Sequence, residues 1–295
     1  MDDQYKEIMR INDIYTEDTI FYHYCSPETF LAICSGKKLR FSSLYQMNDH
    51  MEKQWGYNIW VEVINQLEHE KSIDLAFLKE ITKIIFQESY FTLSLACCFS
   101  KDGDVLSQWR AYALDASGYS IGFSAKYLSK LPTRFIEVCY NKEEQKQIVE
   151  NFIWYMYKRR IDNPNESKGH DSFIDLCVDF SVRLSGFKNS AFKEEQEIRM
   201  VHVIQIDRSD SKNPRYTFGG GIENGEKCKE YKINFRMNGS TPTPFIDIDF
   251  YHDINPIKEV ILGPKNNSRE IDVSLAINSL DFKNVKVKKS EASYR

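Results

Sequence analysis

Glu195 and Glu197 lie two residues apart at the mouth of the segment 197–206 (EIRMVHVIQI), which reads as a strong strand. In extended backbone their side chains project to the same face. Paired carboxylates can stabilise a cation-like sugar, move a proton, or hold a divalent metal. The run from Glu194 to Arg199 is equally compatible with a solvated, charged start to a strand. Ser107-Gln108-Trp109-Arg110 with Tyr112 forms a second group on a short helix expected over 105–113. There Trp109 can stack on a flat ring and Arg110 can fork onto phosphate or carboxylate. A core Trp beside an Arg that pairs with a carboxylate would read the same way. His23 sits between Tyr22 and Tyr24 on an aromatic strand, and alternation turns it to the face opposite theirs. Asn48, Asp49 and Glu52 fit a turn with a capping box, or a polar corner of a site.

The elements that must position these groups follow from periodicity. Residues 20–25 predict a strand, Ser26-Pro27-Glu28 starts a helix that stops at Gly36, and 39–42 returns as a strand. Helices are expected at 52–68, 73–89, 142–161, 171–186 and 268–279. Strands are expected at 91–99, 119–124, 134–140, 197–206, 230–235, 245–250, 257–262 and 285–288, with a loop at Gly219-Gly220-Gly221. The pattern predicts a single α+β domain over 1–295, with a central mixed or antiparallel sheet and helical insertions near 52–89 and 142–186.

Composition narrows the function classes. A net charge of −4 gives no basic footprint for coating nucleic acid. The seven cysteines include no CxxC pair, which predicts unbridged, metal-free thiols and no metal centre built on them. No Walker loop, GxSxG or HExxH occurs. The start, MDDQYKEIMR, has no apolar signal region, and no apolar run approaches the ~18 residues that cross a bilayer. The expectation is a cytoplasmic protein without a membrane partner.

His23, Asn48-Asp49 with Glu52, the Asp104 to Tyr112 block, Gly118, Gly122 and Glu195-Gln196-Glu197-Ile198-Arg199 together resemble the bacterial domain-of-unknown-function family 2971 (DUF2971), over about residues 20–265. That resemblance carries no activity. The opening segment FYHYCSPETFLAICSGKKLRFSS, with Glu195-Gln196-Glu197 late in the chain, is also similar to ADP-ribosyltransferase-like toxins. This second resemblance implies a related sheet and an enzyme that cleaves NAD, as substrate, and passes ADP-ribose to an acceptor, in a toxin or phage-defence setting. It makes Glu197, Glu195 and His23 the catalytic set. Glu197 would stabilise the ribosyl cation, and Glu195 would orient the acceptor. Arg110 would take the pyrophosphate and Trp109 a ring, with Ser107, Gln108, Tyr112, Tyr24, Asn48, Asp49 and Arg199 around the nucleotide. Glu197→Gln is then expected to keep the fold.

Two other classes compete. Asp49, Glu52, Glu195 and Glu197 could converge on Mg²⁺ in a divalent-metal hydrolase or nuclease. A non-catalytic module could use the same cluster to sense a nucleotide or a protein. The acceptor, whether protein or nucleic acid, and any homo-oligomer or partner protein stay open.

Overall fold

The computed structural model describes residues 3–9, 15–16, 18–46, 50–87, 92–163, 173–207, 210, 212–213, 215–219, 222–223, 226–227, 230–250 and 255–294. The chain is α+β. Its first strand, β1 (Ile20–Cys25), leads into helix α2 (Pro27–Gly36), which follows the short α1 (Asp3–Met9). Ser26 caps α2 by accepting from the Thr29 amide, and Pro27 sits where no helical N–H is needed. The left-handed residue that ends α2 is Lys37, one position beyond the expected Gly36.

Strand β2 (Lys38–Ser43) follows, then β3 (Thr92–Ser100), α5 (Leu106–Tyr112), β4 (Tyr119–Ser124), α6 (Ala125–Leu128), β5 (Arg134–Glu137) and β6 (Glu197–Asp207). The sheet is completed by β7 (Arg215–Gly219), β10 (Asn234–Asn238), β11 (Thr241–Asp249), β12 (Ile257–Leu262) and β13 (Lys286–Lys289), with a separate small ribbon of β8 (Ile222–Glu223) and β9 (Glu226–Lys227). The eleven-stranded sheet runs β10-β11-β2-β3-β1-β4-β12-β13, and β6 joins β3 along its other edge and carries β5 and β7. All its pairs are antiparallel except β12 with β13, so the sheet is mixed. The strand expected at 230–235 is displaced to Asn234–Asn238, where its backbone pairs with β11 through a hairpin closed at Gly239. Gly219 ends β7, and Gly220 and Gly221 lie outside the described residues.

Helices α3 (His50–Glu70), α4 (Leu75–Gln87), α7 (Lys142–Asp162) and α8 (Phe173–Leu184) build their own apolar core with α1. Phe152 and Phe180 stack at 3.8 Å within it. Each such fully buried ring contributes about 1.5–3 kcal/mol relative to an exposed one. The sheet core, around Phe41, Leu95, Ile121, Phe123 and Met200, is separate. α9 (Glu270–Ser279) packs on it through Val273 and Ile277.

β2 and β1 both pair with the same edge of β3, but at different ends. β2 meets it at Ala96 and Leu95, and β1 meets it at Ser100. The two strands splay apart above Cys97–Phe99, with α2 spanning the gap behind them.

The pairing of β1 with β4 requires close backbone approach at Gly118, just before β4. A Cβ there would stand 2.1 Å from the Cys25 carbonyl oxygen and 3.0 Å from that of Ala113. Gly118→Ala is expected to cost about 1–3 kcal/mol through overpacking, measurable as a lower urea midpoint at unchanged slope. A midpoint equal to wild type would mean that β1 and β4 can separate at no cost.

Candidate functional site

The gap between β1 and β2 opens into a cleft of about 540 Å³, within the ~300–1,000 Å³ range of small-molecule sites. Its floor is β3 from Ala96 to Phe99. One wall is β1 with α2, and the other is β2. His23, Tyr24, Gln108, Tyr112, Glu195, Glu197 and Arg199 all line it, although they are far apart in sequence.

The splay explains His23. Its Nδ1 lies 2.9 Å from the Cys98 carbonyl on the open edge of β3. An oxygen acceptor there requires Nδ1 to carry the hydrogen, so the imidazole side chain replaces a strand partner. Burial lowers the His23 pKa from its ordinary value, and the bond to Cys98 only partly opposes this. The ring is therefore neutral near pH 7 and Nε2 is an acceptor. Because the folded pKa is depressed, the unfolded chain takes up the proton first. Stability from His23 is full above about pH 6.5 and falls as pH drops through the lower folded value. His202, also buried with a lowered pKa, acts in the same direction. Urea melts from pH 7.5 to 5 should show a slope that is shallower in His23→Gln, whose amide still donates to Cys98. An unchanged slope would remove His23 from the titration.

The paired glutamates do not sit on extended backbone as expected. Glu195 ends a 3-10 turn (Ser190–Glu195), Gln196 is left-handed at φ 44°, and only Glu197 begins β6. Both carboxylates nevertheless converge, because a buried cation draws them together. Lys188 Nζ lies 2.5 Å from Glu195 Oε2 and 3.3 Å from Glu197 Oε2. Arg199 forks onto Glu197, Nε to Oε1 at 2.7 Å and Nη2 to Oε2 at 2.8 Å. The side chains of Lys188 and Arg199 are each 4% exposed. Burial alone would raise the Glu197 pKa, but the Arg199 charge and hydrogen bonds, with Lys188 and the Cys98 thiol, hold it down at about 2.

Sequence reasoning missed Lys188. It follows Phe187, whose backbone bridges to Cys139, and it precedes Asn189, which caps the 3-10 turn. Gln145 of α7 fixes this strap by donating to the carbonyls of Cys139 and Lys188, at 2.6 and 2.9 Å. The usable signal was the charge itself, since two neighbouring buried carboxylates require cations.

Cys98 lies between these groups, but burial first, and then the Glu197 charge, push its thiol pKa well up. It is a hydrogen-bond donor to Glu197, not a thiolate nucleophile. Tyr112 reaches the cleft at the end of α5, and Gln108 lies one turn earlier.

The rest of the α5 block has another role. Trp109 is fully buried, donates from Nε1 to Asp104 Oδ1 at 2.7 Å and meets Tyr24 edge-on at 4.9 Å, so no flat ligand ring can reach it. Asp104 also accepts from the Ser290 hydroxyl and the Glu291 amide. Arg110 is exposed, does not line the cleft, and lies 5.7 Å from the Tyr294 ring. The block thus docks residues 290–294 and points only Gln108 and Tyr112 inward. Ser107 is partly buried and does not line the cleft. Tyr24 lines the wall, yet its hydroxyl donates to the Asp102 carbonyl and accepts from the Val105 amide. Asn48 and Asp49 lie outside the described residues, and of Glu52 only the backbone, in α3, is described.

Among the described residues no three His, Cys, Asp or Glu side chains converge as a metal set. Glu197 already faces two cations, which makes it a poor donor to a third. Also among the described residues, no helix is long and apolar enough to cross a membrane.

Residues 108–200 match the family model DUF2971, described as a protein of unknown function. The match runs from Gln108 to Met200, so it holds Tyr112, Lys188, Glu195, Glu197 and Arg199, and it is narrower than the stretch over which motifs were read. No curated protein and no solved structure matches the chain. The comparisons add no support to the ADP-ribosyltransferase resemblance.

Proposed function

We propose that the chain is an enzyme of the ADP-ribosyltransferase or NAD glycohydrolase type that holds NAD in the cleft between β1 and β2. The observation that carries this reading is the meeting of His23 from β1 with Glu195 and Glu197 at the start of β6 in one cavity. In the reaction the bond from ribose C1′ to the nicotinamide nitrogen breaks and its electron pair leaves with nicotinamide. An acceptor oxygen or nitrogen then bonds to C1′ and gives up its proton to solvent.

The residue roles follow from their surroundings. Glu197 is saturated by Arg199, Lys188 and Cys98, so it anchors the cluster. Glu195, held by Lys188 at the cleft side, takes the role of stabilising positive charge on the ribose, the part in which a carboxylate acts most strongly in the transition state. His23 accepts a ribose hydroxyl through Nε2, and Tyr112 supplies the ring that Trp109 cannot. A toxin or phage-defence effector is the setting such chemistry suits. The test is incubation with NAD and detection of free nicotinamide, with candidate acceptors and with water alone. No release under any of these conditions rejects the reading.

A further inference from the structure

The far rim of the cleft carries charge that the roles above do not use. Lys38 and Arg40 of β2 and Arg236 of β10 all line it. Arg40 pairs across the sheet with Asp247, and Arg236 with Thr243 on the same strand, β11. Residues 243, 245 and 247 alternate onto one face, so the three cations share that face. Asp247 is reached by Arg40 at 2.9 Å and by Lys38 at 3.0 Å, one carboxylate between two cations. The Arg40 guanidinium lies over the Phe245 ring at 3.8 Å, which fixes it in place. The Arg236 side chain is exposed and makes no hydrogen bond or ion pair with any described residue. Of the residues that line the cleft on this side, three cations face one carboxylate, Asp247, so the rim is net positive; Glu28 stands across from them on α2. A guanidinium fork with open donors in a concave, positive site matches the geometry of phosphate oxygens.

We propose that Lys38, Arg40 and Arg236 form a diphosphate subsite of this cleft. The identification of the ligand as the diphosphate of NAD rests on the transfer reading, and the subsite then replaces Arg110 in that part. A diphosphate, free or within a nucleotide, is the chemistry these side chains recognise.

The experiment is calorimetric titration of the full chain with inorganic pyrophosphate and, separately, with ADP, in metal-free buffer at low salt. Wild type, Arg236→Ala, Arg236→Lys and Arg110→Ala are compared. Loss of one charge-assisted contact should weaken pyrophosphate about 10- to 100-fold in Arg236→Ala. Arg236→Lys, with charge but no fork, should fall between, and Arg110→Ala should match wild type. Ligand-free thermal unfolding of the Arg236 variants should equal wild type, because Arg236 meets no described partner. ADP binding more tightly than pyrophosphate marks a nucleotide as the source, and the reverse marks free diphosphate.

Three results overturn the subsite: neither ligand binds, Arg236→Ala binds as wild type does, or Arg110→Ala is the variant that loses affinity. Binding that depends on Arg236 without any nicotinamide release keeps the subsite and removes the transfer reading. Nicotinamide release that is unchanged in KM and kcat by Arg236→Ala does the opposite.

Discussion

Glu195→Gln is expected to slow nicotinamide release by about 10²–10³-fold, the usual cost of deleting one electrostatic partner of a transition state. The substitution keeps shape and removes charge. Its amide oxygen can still accept from Lys188, which also keeps Glu197 at 3.3 Å, so the fold should survive with only a modest loss of stability. NAD affinity should change much less than kcat, because the ribose carries little positive charge before the bond to nicotinamide lengthens. A variant that loses affinity and rate together would make Glu195 a ground-state contact. Release at the wild-type rate would take the carboxylate out of the chemistry, and with it the roles proposed for the cleft. If the cluster belongs to a binding module, wild type itself shows no turnover, and the substitution alters only ligand affinity.

Much of the framework was legible in the chain. β1, α2, α7, β4, β6 and β12 follow from apolar and aromatic runs, helix caps and the turn residues between them. Glu195 and Glu197 stood out by their two-residue spacing at a strand entry, and His23 by its place between Tyr22 and Tyr24 on an aromatic strand. What pattern could not give was the order of the strands. β1 and β2 are adjacent in sequence, yet they splay along one edge of β3, and that splay makes the cleft. Local pattern says nothing about which edge a strand joins. The same blindness misplaced the α5 block. Trp109 and Arg110 carry the residue types of a nucleotide site, but the neighbouring Asp104 and residues 290–294, the latter some 186 residues further along the chain, claim that face of the helix. Lys188 and Arg236 do not stand out in the chain, and Arg40 takes no role within its segment, because nothing local marks a lysine as buried or an arginine as lining a cavity. The i,i+2 argument for Glu195 and Glu197 assumed extended backbone, and the left-handed Gln196 removes that premise while Lys188 restores the convergence.

Glu197→Gln should behave quite differently from Glu195→Gln, and against the expectation that it leaves the fold intact. Arg199 and Lys188 are almost fully buried, and Glu197 is the carboxylate that Arg199 grips with two hydrogen bonds. Removing its charge takes the carboxylate from a buried guanidinium, which keeps its bond to the Ser185 carbonyl, a loss of about 3–5 kcal/mol when a buried pair is broken from one side. The pKa gives a consistent magnitude. A carboxyl held at about 2 in the fold, against an ordinary value near 4.3, contributes roughly 3 kcal/mol. The sign follows from the depressed value. The contribution is complete above about pH 4.5, declines as the carboxylate takes up a proton, and is gone once pH has fallen through about 2. Urea denaturation of wild type and Glu197→Gln should therefore show a wide gap at pH 7 that narrows between pH 4.5 and 3. Arg199→Met, combined with Glu197→Gln, separates pairing from packing. If the stranded charge causes the loss, the double variant should be less destabilised than the sum of the single ones. A gap independent of pH, with additive single losses, would mean that Glu197 contributes by shape alone. The neutralised anchor assigned to it, and the choice of Glu195 as the reacting carboxylate, would then both have to be given up.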